Sequence, residues 1–190
     1  MKEKIQFFIV LTGAIVMFGL FYNLLLGQKD NEKDKAKEIS FYDLSIGEIN
    51  FSQFRGKVVL LTNIATRCGF TKQLEGLQKI SEEYKEKGLV VLGIPSNDFL
   101  SQTPEEDKDV VSFCKLNYGV TFLVSQKTEV IGKNKHSIFK WIQAQKGFST
   151  PILWNFEKFF IDKEGKLLKR FRSATTPDNL EFLKTLEGLF

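Results

Sequence analysis

Cys68 is the residue of this sequence that is best placed for redox chemistry. It follows residues 58–63, a short apolar run typical of a strand buried on both faces of an α/β sheet. Apolar residues at helical spacing come next, at Leu74, Leu77, Ile80 and Tyr84. A helix N-terminus carries unpaired N–H groups and about half a positive charge, and Arg67 adds a full charge beside the cysteine. These conditions favour a reactive thiolate at Cys68, whereas a buried structural cysteine is the alternative.

Three short blocks of sequence, one of which contains Cys68, stand out along the chain. They are Asn-Ile-Ala-Thr-Arg-Cys-Gly-Phe-Thr at 63–71, Gly-Ile-Pro-Ser-Asn-Asp-Phe at 93–99 and Trp-Asn-Phe-Glu-Lys-Phe at 154–159. Together they resemble the glutathione peroxidase family. The blocks come in the order in which the family has them, and the similarity extends from about Ile39 to about Leu186. This resemblance implies a thioredoxin-like fold and a thiol peroxidase that reduces hydrogen peroxide or organic and lipid hydroperoxides.

The resemblance also implies which side chains carry the reaction. The family joins its peroxidatic cysteine to glutamine, tryptophan and asparagine, and these roles fall on Cys68, Gln102, Trp154 and Asn155. A thiolate that attacks a peroxide is oxidised to a sulfenic acid, and neutral N–H donors can stabilise the negative charge on the departing oxygen. Considered singly, Trp154 fits a core aromatic, Gln102 a surface residue of a polar loop and Asn155 a turn residue.

A second cysteine, Cys114, matches the resolving cysteine of the thioredoxin-dependent members of the family. It lies in the stretch Ser-Phe-Cys-Lys-Leu-Asn-Tyr-Gly-Val-Thr-Phe at 112–122. The match implies a Cys68–Cys114 disulfide that a thioredoxin-like protein reduces, and the alternative is a buried helical cysteine that only fills space. Because a disulfide needs Cα atoms about 4.4–6.8 Å apart, we expect the helix around 113–119 to unfold locally on oxidation.

Several positions depart from the family pattern. Leu100 and Ser101 stand where the family usually has two glycines before its glutamine. Ser96 stands where many relatives have a further cysteine, and Leu123 where relatives commonly have a proline. The stretch 119–154 is also short, without the insertion that builds tetramers in the glutathione-using branch. We therefore expect a monomer that exposes its site to a protein reductant, with glutathione as the second candidate reductant.

Composition argues against several other classes of protein. The formal net charge of +4 is too small, and no basic stripe is present, to predict nucleic-acid binding. Two cysteines and one histidine do not suit a disulfide-rich scaffold or a metal centre, so no metal or other cofactor is expected, and His136 fits a polar surface residue. A membrane-anchored thiol–disulfide reductase would need Cys-x-x-Cys, but residues 68–71 supply one thiol. The same region lacks the second sulfur or histidine that a copper chaperone would need. A non-enzymatic adaptor would have no need for the cysteine, glutamine, tryptophan and asparagine together.

The N-terminus carries a separate signal. Residues 5–26 are 22 positions without a charge, about 33 Å as a helix, which matches the roughly 30 Å hydrocarbon core of a bilayer. The run is long and ends without an Ala-x-Ala pattern, so we expect residues 1–27 to form an uncleaved transmembrane anchor, with a cleaved signal segment as the alternative. Residues 28–38 carry balanced charges and predict a solvated linker before a domain at 39–190. We expect that domain to lie outside the cytoplasm, although the flanking lysines do not decide its orientation.

The domain alternates strand and helix patterns. We predict strands at 58–63, 89–94 and 120–124, a first hairpin across 45–48 and a second formed by 158–162 and 166–172. Helices are predicted at 72–87, from 103, at 135–145 and from 176, the last with inward-facing Leu180, Leu183 and Leu186. A parallel strand–helix–strand unit followed by a hairpin and a closing helix corresponds to an α/β, thioredoxin-like fold with a central mixed sheet flanked by helices.

Overall fold

The computed structural model describes residues 35, 36 and 38–190, and Ile39–Phe190 form one compact unit. The anchor predicted at 1–27 lies outside the described residues, and so does most of the linker predicted at 28–38. Both stay predictions. No helix in the described part of the chain is long and apolar enough to cross a bilayer.

A mixed sheet forms the centre of the domain. The strands are β1 (Ser45–Ile46), β2 (Ile49–Asn50), β3 (Val58–Ile64), β4 (Leu89–Pro95), β5 (Leu123–Val124), β6 (Lys158–Ile161) and β7 (Leu167–Phe171). β1 and β2 pair as a separate small hairpin, and the other five lie in the spatial order β5-β4-β3-β6-β7. β3 runs parallel to β4, and β6 pairs antiparallel with both β3 and β7. The two predicted hairpins and the predicted parallel pair are confirmed, although the strand predicted at 120–124 shortens to β5.

Apolar layers cover both faces of this sheet. Every residue of β3 is buried, and its side chains alternate between the faces. Val59 and Leu61 face a cluster that includes residues of α3 (Ser137–Ala144). Leu60 faces a second cluster, built from three other helices: α1 (Gln73–Tyr84), α2 (Asp107–Tyr118) and α4 (Leu180–Glu187). Residues 58–61 of β3 are all apolar because neither face of the strand meets water.

The predicted helix at 72–87 corresponds to α1 followed by a 3₁₀ turn at Lys85–Lys87. Gly88 ends this turn with a φ of 92°, the left-handed conformation that glycine adopts without steric cost.

The helix predicted from 103 begins later, at Asp107. Long-range contacts hold the preceding residues in a loop. The N–H of Thr103 donates to Oδ1 of Asn97 at 2.8 Å, and the carboxylate of Glu105 accepts from Thr66 and Arg67. The Thr-Pro-Glu-Glu pattern has the composition of a helix start, but these contacts outweigh that local preference.

The last helix begins at Leu180 rather than at 176, because Asn179 caps it by accepting from the N–H groups of Glu181 and Phe182. Leu180 is 66% exposed, whereas Phe182 is fully buried, so the predicted inward position of Leu180 is wrong. Pro177 packs directly over Gly76 of α1, which keeps the preceding turn outside the helix.

His136, predicted as a polar surface residue, is partly exposed and caps a helix. Its Nδ1 accepts from the N–H of Ile138 at 3.3 Å at the start of α3. The side chain is half-buried, and this burial lowers the pKa of His136. The hydrogen bond with a backbone N–H needs the neutral imidazole, which the lowered pKa favours.

Candidate active site

Cys68 lies in the turn that connects β3 to α1. The residue is 8% exposed, and its Sγ accepts a hydrogen bond from the N–H of Phe70 at 3.4 Å. α1 itself begins only at Gln73. The N–H group that reaches the thiol therefore belongs to the turn and not, as predicted, to the first residues of the helix.

Thr71 closes this turn. Its buried hydroxyl accepts from the N–H of Cys68 at 3.0 Å and lies within hydrogen-bond distance of the carbonyl oxygens of Ala65, at 2.9 Å, and Cys68, at 2.7 Å. This residue was not predicted from the sequence. A threonine three positions after the cysteine is a typical spacing for a side chain that caps a turn, and that signal could have identified it.

The positive charge of Arg67 is directed toward Glu105. The guanidinium Nε and Nη2 both lie 2.8 Å from Oε1 of Glu105, and Thr66 donates to Oε2 at 2.6 Å. Burial works against ionisation of Glu105, but the hydrogen bonds from Thr66 and Arg67 outweigh it and lower the pKa of this carboxyl. Arg67 thus has a partnered charge, which weakens the expectation that it acts mainly on the thiol.

Gln102 connects the cysteine turn to the third sequence block. Its carbonyl oxygen accepts from the N–H of Arg67 at 2.9 Å and lies within hydrogen-bond distance of the Thr66 hydroxyl, at 3.1 Å. Its side-chain Oε1 accepts from Nδ2 of Asn155 at 3.1 Å. Gln102 is therefore fixed at both its backbone and its side chain.

Leu100 and Ser101, just before Gln102, occupy the two positions where the resemblance expects glycine. Their φ angles are 54° and 51°, in the left-handed region that favours glycine. The loop thus keeps the backbone conformation suited to glycine although it contains leucine and serine.

Trp154 and Asn155 lie at the start of a turn before β6. The half-buried indole of Trp154 packs on Phe99, with ring centroids 5.6 Å apart, and also contacts the apolar cluster that contains Cys68. Asn155 is fully buried, and its Oδ1 has no hydrogen-bond partner among the described residues. A buried amide oxygen without a partner is costly and needs an explanation, of which a catalytic role is one.

The structure thus brings the predicted residues together in part. Gln102 and Asn155 are hydrogen-bonded, and Cys68 and Trp154 share an apolar cluster. In the described part of the chain, the Sγ of Cys68 has the N–H of Phe70 as its hydrogen-bond donor, and no such bond joins it to the other three side chains.

Cys114 occupies the middle of α2. It is 1% exposed and contributes to the same apolar cluster as Cys68, and both cysteines are free thiols. Burial raises the pKa of the Cys114 thiol to about 11, because the interior disfavours the thiolate. In this conformation Cys114 is therefore a weak nucleophile.

A buried lysine, also missed by the sequence analysis, connects the third block to α1. The ammonium of Lys158 donates to Oε1 of Gln73, to the carbonyl oxygen of Thr175 at 2.7 Å and to that of Ser173 at 3.3 Å. Burial lowers the pKa of Lys158 to about 7, against the smaller favourable effect of Glu157. A charged residue within an otherwise apolar strand was the available sequence signal.

Comparison with known proteins agrees with this arrangement. A family model described as glutathione peroxidase matches residues 36–143. The chain is 45% identical over 151 residues to glutathione peroxidase-like peroxiredoxin 2 of Saccharomyces cerevisiae, covering 75% of this chain and 93% of the relative. It is 43% identical over 150 residues to a glutathione peroxidase of Lactococcus lactis subsp. cremoris, covering 75% and 96% respectively. The chain belongs to the glutathione peroxidase family.

The three-dimensional comparison supports the same conclusion. A crystal structure of Trgpx in its apo form matches with a TM-score of 0.63 and 31% identity, covering 80% of this chain and 95% of that one. The predicted thioredoxin-like α/β fold with a mixed sheet is confirmed. As a member of the glutathione peroxidase family, the protein is a thiol peroxidase.

Proposed function

We propose that this peroxidase works through a two-cysteine cycle in which Cys68 reacts with the peroxide and Cys114 resolves the product. The Cys68 thiolate attacks one peroxide oxygen and the O–O bond breaks. The sulfur is oxidised to a sulfenic acid, and the other oxygen leaves as water or an alcohol after taking up a proton. The Cys114 thiol then attacks the sulfenic sulfur, so that a disulfide forms and water leaves.

The observation that carries the first step of this proposal, the reaction at Cys68, is the double attachment of Gln102. Its backbone is bonded to residues 66 and 67, directly before the thiol, and its side chain is bonded to Asn155. The amides of Gln102 and Asn155 and the indole of Trp154 are neutral donors that can stabilise negative charge on the departing oxygen. Fixed donors of this kind contribute about 2.7–4 kcal/mol in other enzymes.

A thioredoxin-like protein is the reductant that fits this cycle. A Cys68–Cys114 disulfide is the substrate of a dithiol protein, and a yeast relative carries the name peroxiredoxin. Glutathione is the second candidate, because the family and the Lactococcus relative are named for it. The peroxide would be hydrogen peroxide or an organic or lipid hydroperoxide.

We also propose, from the sequence, that residues 5–26 anchor the chain in a membrane, with a monomeric domain outside the cytoplasm. The anchor would keep the peroxidase near oxidised lipid. Labelling a cysteine introduced into the linker with a membrane-impermeant maleimide in intact cells tests the orientation. Protection of that cysteine until the cells are lysed would contradict it.

The cycle is tested by adding one equivalent of hydrogen peroxide to the reduced full-length protein and mapping the cysteines by mass spectrometry. We expect an intramolecular Cys68–Cys114 disulfide in the wild type and a sulfenic acid on Cys68 in Cys114→Ser. A wild-type sulfenic acid with Cys114 still free would make Cys114 structural and favour glutathione. An unreacted Cys68 would refute the assignment of the peroxidatic cysteine.

A further inference from the structure

The turn that carries Trp154 and Asn155 has an unusual backbone. Phe156 has a φ of 64°, in the left-handed region that bulky residues rarely adopt. Such a conformation costs about 1–3 kcal/mol and persists only where the surroundings determine it. Asn155, just before it, is fully buried. The turn therefore depends on support from outside.

Asn63 of β3 supplies that support. This residue is fully buried, and its Nδ2 donates to the carbonyl oxygen of Trp154 at 3.0 Å. Its Oδ1 accepts from the N–H of Glu157 at 3.0 Å, and its own carbonyl oxygen accepts from the N–H of Phe156 at 2.6 Å. The three hydrogen bonds bracket Asn155 on both sides.

The hydrogen-bond partners of the Asn63 side chain require a carboxamide at this position. The carbonyl oxygen of Trp154 can only accept and the N–H of Glu157 can only donate, so the partners fix both the orientation of the amide and the need for one donor and one acceptor. Aspartate has a similar shape and keeps the acceptor, but it loses the donor. An apolar residue loses both and leaves two buried backbone groups unpaired.

Asn63 also belongs to the segment that leads to the reacting thiol. It lies near the end of β3, five positions before Cys68, and the hydroxyl of Thr71 attaches the cysteine turn to the end of that segment at Ala65. One residue therefore relates the backbone that carries Cys68 to the turn that carries Trp154 and Asn155.

We propose that Asn63 is a positioning residue of the peroxidase reaction, which sets the place of Trp154 and Asn155 relative to Cys68. This inference rests on the proposed function, in which those two side chains stabilise the departing oxygen. The thiol itself is held by the N–H of Phe70, within its own turn. Loss of the Asn63 amide therefore slows attack on a peroxide but spares reactions of the thiol that do not need these donors.

The test compares two rates at Cys68 in the full-length chain carrying Cys114→Ser: oxidation by hydrogen peroxide and alkylation by iodoacetamide. We expect Asn63→Asp to slow oxidation by about 100-fold, the effect of a misplacement of about 1 Å, and to leave alkylation within about twofold. The control is Thr62→Val, because Thr62 is the buried neighbour in β3 whose hydroxyl has no partner among the described residues. Neither rate should change in that control.

Circular dichroism and thermal unfolding establish that each variant is folded, and Asn63→Ser replaces Asn63→Asp if the buried carboxylate prevents folding. Unchanged oxidation in a folded Asn63 variant overturns the proposal, and so does an equal loss of both rates. Failure of the proposed function is distinguishable: Cys68 in the chain with Asn63 intact would then be alkylated but not oxidised, which overturns both proposals.

Discussion

The two cysteines share one apolar cluster, but the chain holds their surroundings in different ways. Around Cys68, hydrogen bonds join segments that are distant in sequence. Gln102 bonds to the residues before the thiol and to Asn155, and Asn63 bonds to the turn after Trp154. The part of the cluster around Cys68, Gln102, Trp154 and Asn155, which is the proposed catalytic side, is therefore cross-linked by hydrogen bonds.

The side-chain hydrogen bonds of α2, the helix of Cys114, lie mostly within the helix, apart from the one that Asp107 accepts from the N–H of Lys127. Within α2, the side chains of Ser112 and Asn117 bond to carbonyl oxygens of the same helix, at 2.8 and 2.9 Å. α1 and α2 have twelve residues each, but α1 buries six of them and α2 only Val110 and Cys114. Helices with few buried apolar contacts open at low free-energy cost.

From this difference we infer that α2 is the element that moves in the proposed cycle. Opening of the helix would bring Cys114 toward Cys68 and would also expose its thiol to water. Exposure removes the burial that raises the pKa of Cys114 to about 11, so the opened helix presents a stronger nucleophile. The same event would supply both the geometry and the reactivity that the second step needs.

The largest expected effect concerns the cross-linked side. Glu157 is 1% exposed, bonds to Arg170 and Arg172, and accepts from the N–H of Leu153, so it fixes the segment before Trp154. Glu157→Gln keeps the shape but leaves buried Arg170 without its counter-charge. We expect a loss of about 3–5 kcal/mol in the free energy of unfolding, measured by urea titration.

The matched control for this change is Glu181→Gln, since Glu181 forms an exposed pair with Lys169. We expect that variant to lose less than about 1 kcal/mol. Equal losses in the two variants would mean that the buried ion network does not stiffen the catalytic side.

Two glycines at helix ends test whether α2, the helix that carries Cys114, opens during the cycle. Gly119 ends α2 with a φ of 65°, Gly88 ends the turn after α1 with a φ of 92°, and an added Cβ meets no atom within 4 Å at either position. Alanine should therefore cost about 1–2 kcal/mol in folding stability at both. We expect only Gly119→Ala to accelerate Cys68–Cys114 disulfide formation, by up to about tenfold, because it loosens α2. Quenched-flow mass spectrometry measures that rate, and equal acceleration by Gly88→Ala would contradict a specific role for α2.

The buried lysine on the catalytic side predicts a pH dependence. Lys158 gains a proton below about pH 7 in the folded protein, but already below about 10.4 in the unfolded chain. Between these values unfolding takes up a proton, so raising the pH stabilises the fold, by up to about 1.4 kcal/mol per pH unit. Lys158→Met should flatten this rise in urea titrations at pH 7.5 and 8.5.

Cys114 contributes with the opposite sign and at higher pH. Its folded pKa of about 11 lies above the ordinary value of 9.0, so unfolding releases a proton between them and stability falls as the pH rises through that range. The titration of Cys114 therefore contributes little to the difference in the free energy of unfolding between pH 7.5 and 8.5. A rise of the same slope in Lys158→Met would show that another group titrates.

The sheet and the catalytic blocks could be predicted from the sequence because their signals are local. Burial on both faces gives β3 an apolar run, and the cysteine, the tryptophan and the asparagine stand in short blocks. The supporting residues could not be predicted, since their partners are distant in sequence. Asn63 and Trp154 are 91 positions apart, and Lys158 and Gln73 are 85 apart. For the same reason the start of α2 was predicted too early, because its composition does not reveal the contacts of Glu105 with Thr66 and Arg67, which are 39 and 38 positions away.

The smallest expected effect lies in the loop before Gln102. Leu100 has a φ of 54° and is 78% exposed, so its side chain buries little while its backbone is strained. Leu100→Gly removes about 1–2 kcal/mol of strain but adds about 0.5–1 kcal/mol of unfolded-state entropy, which leaves a net stabilisation below about 1 kcal/mol. Leu153→Gly is the control, because Leu153 is 63% exposed without a positive φ, and it should lose about 0.5–1 kcal/mol. Thermal unfolding separates the two signs. Equal destabilisation of both variants would mean that the contacts of Leu100 stabilise the fold by more than its backbone strain costs. The loop would then be a well-packed part of the site rather than a strained turn that the surrounding residues hold in place.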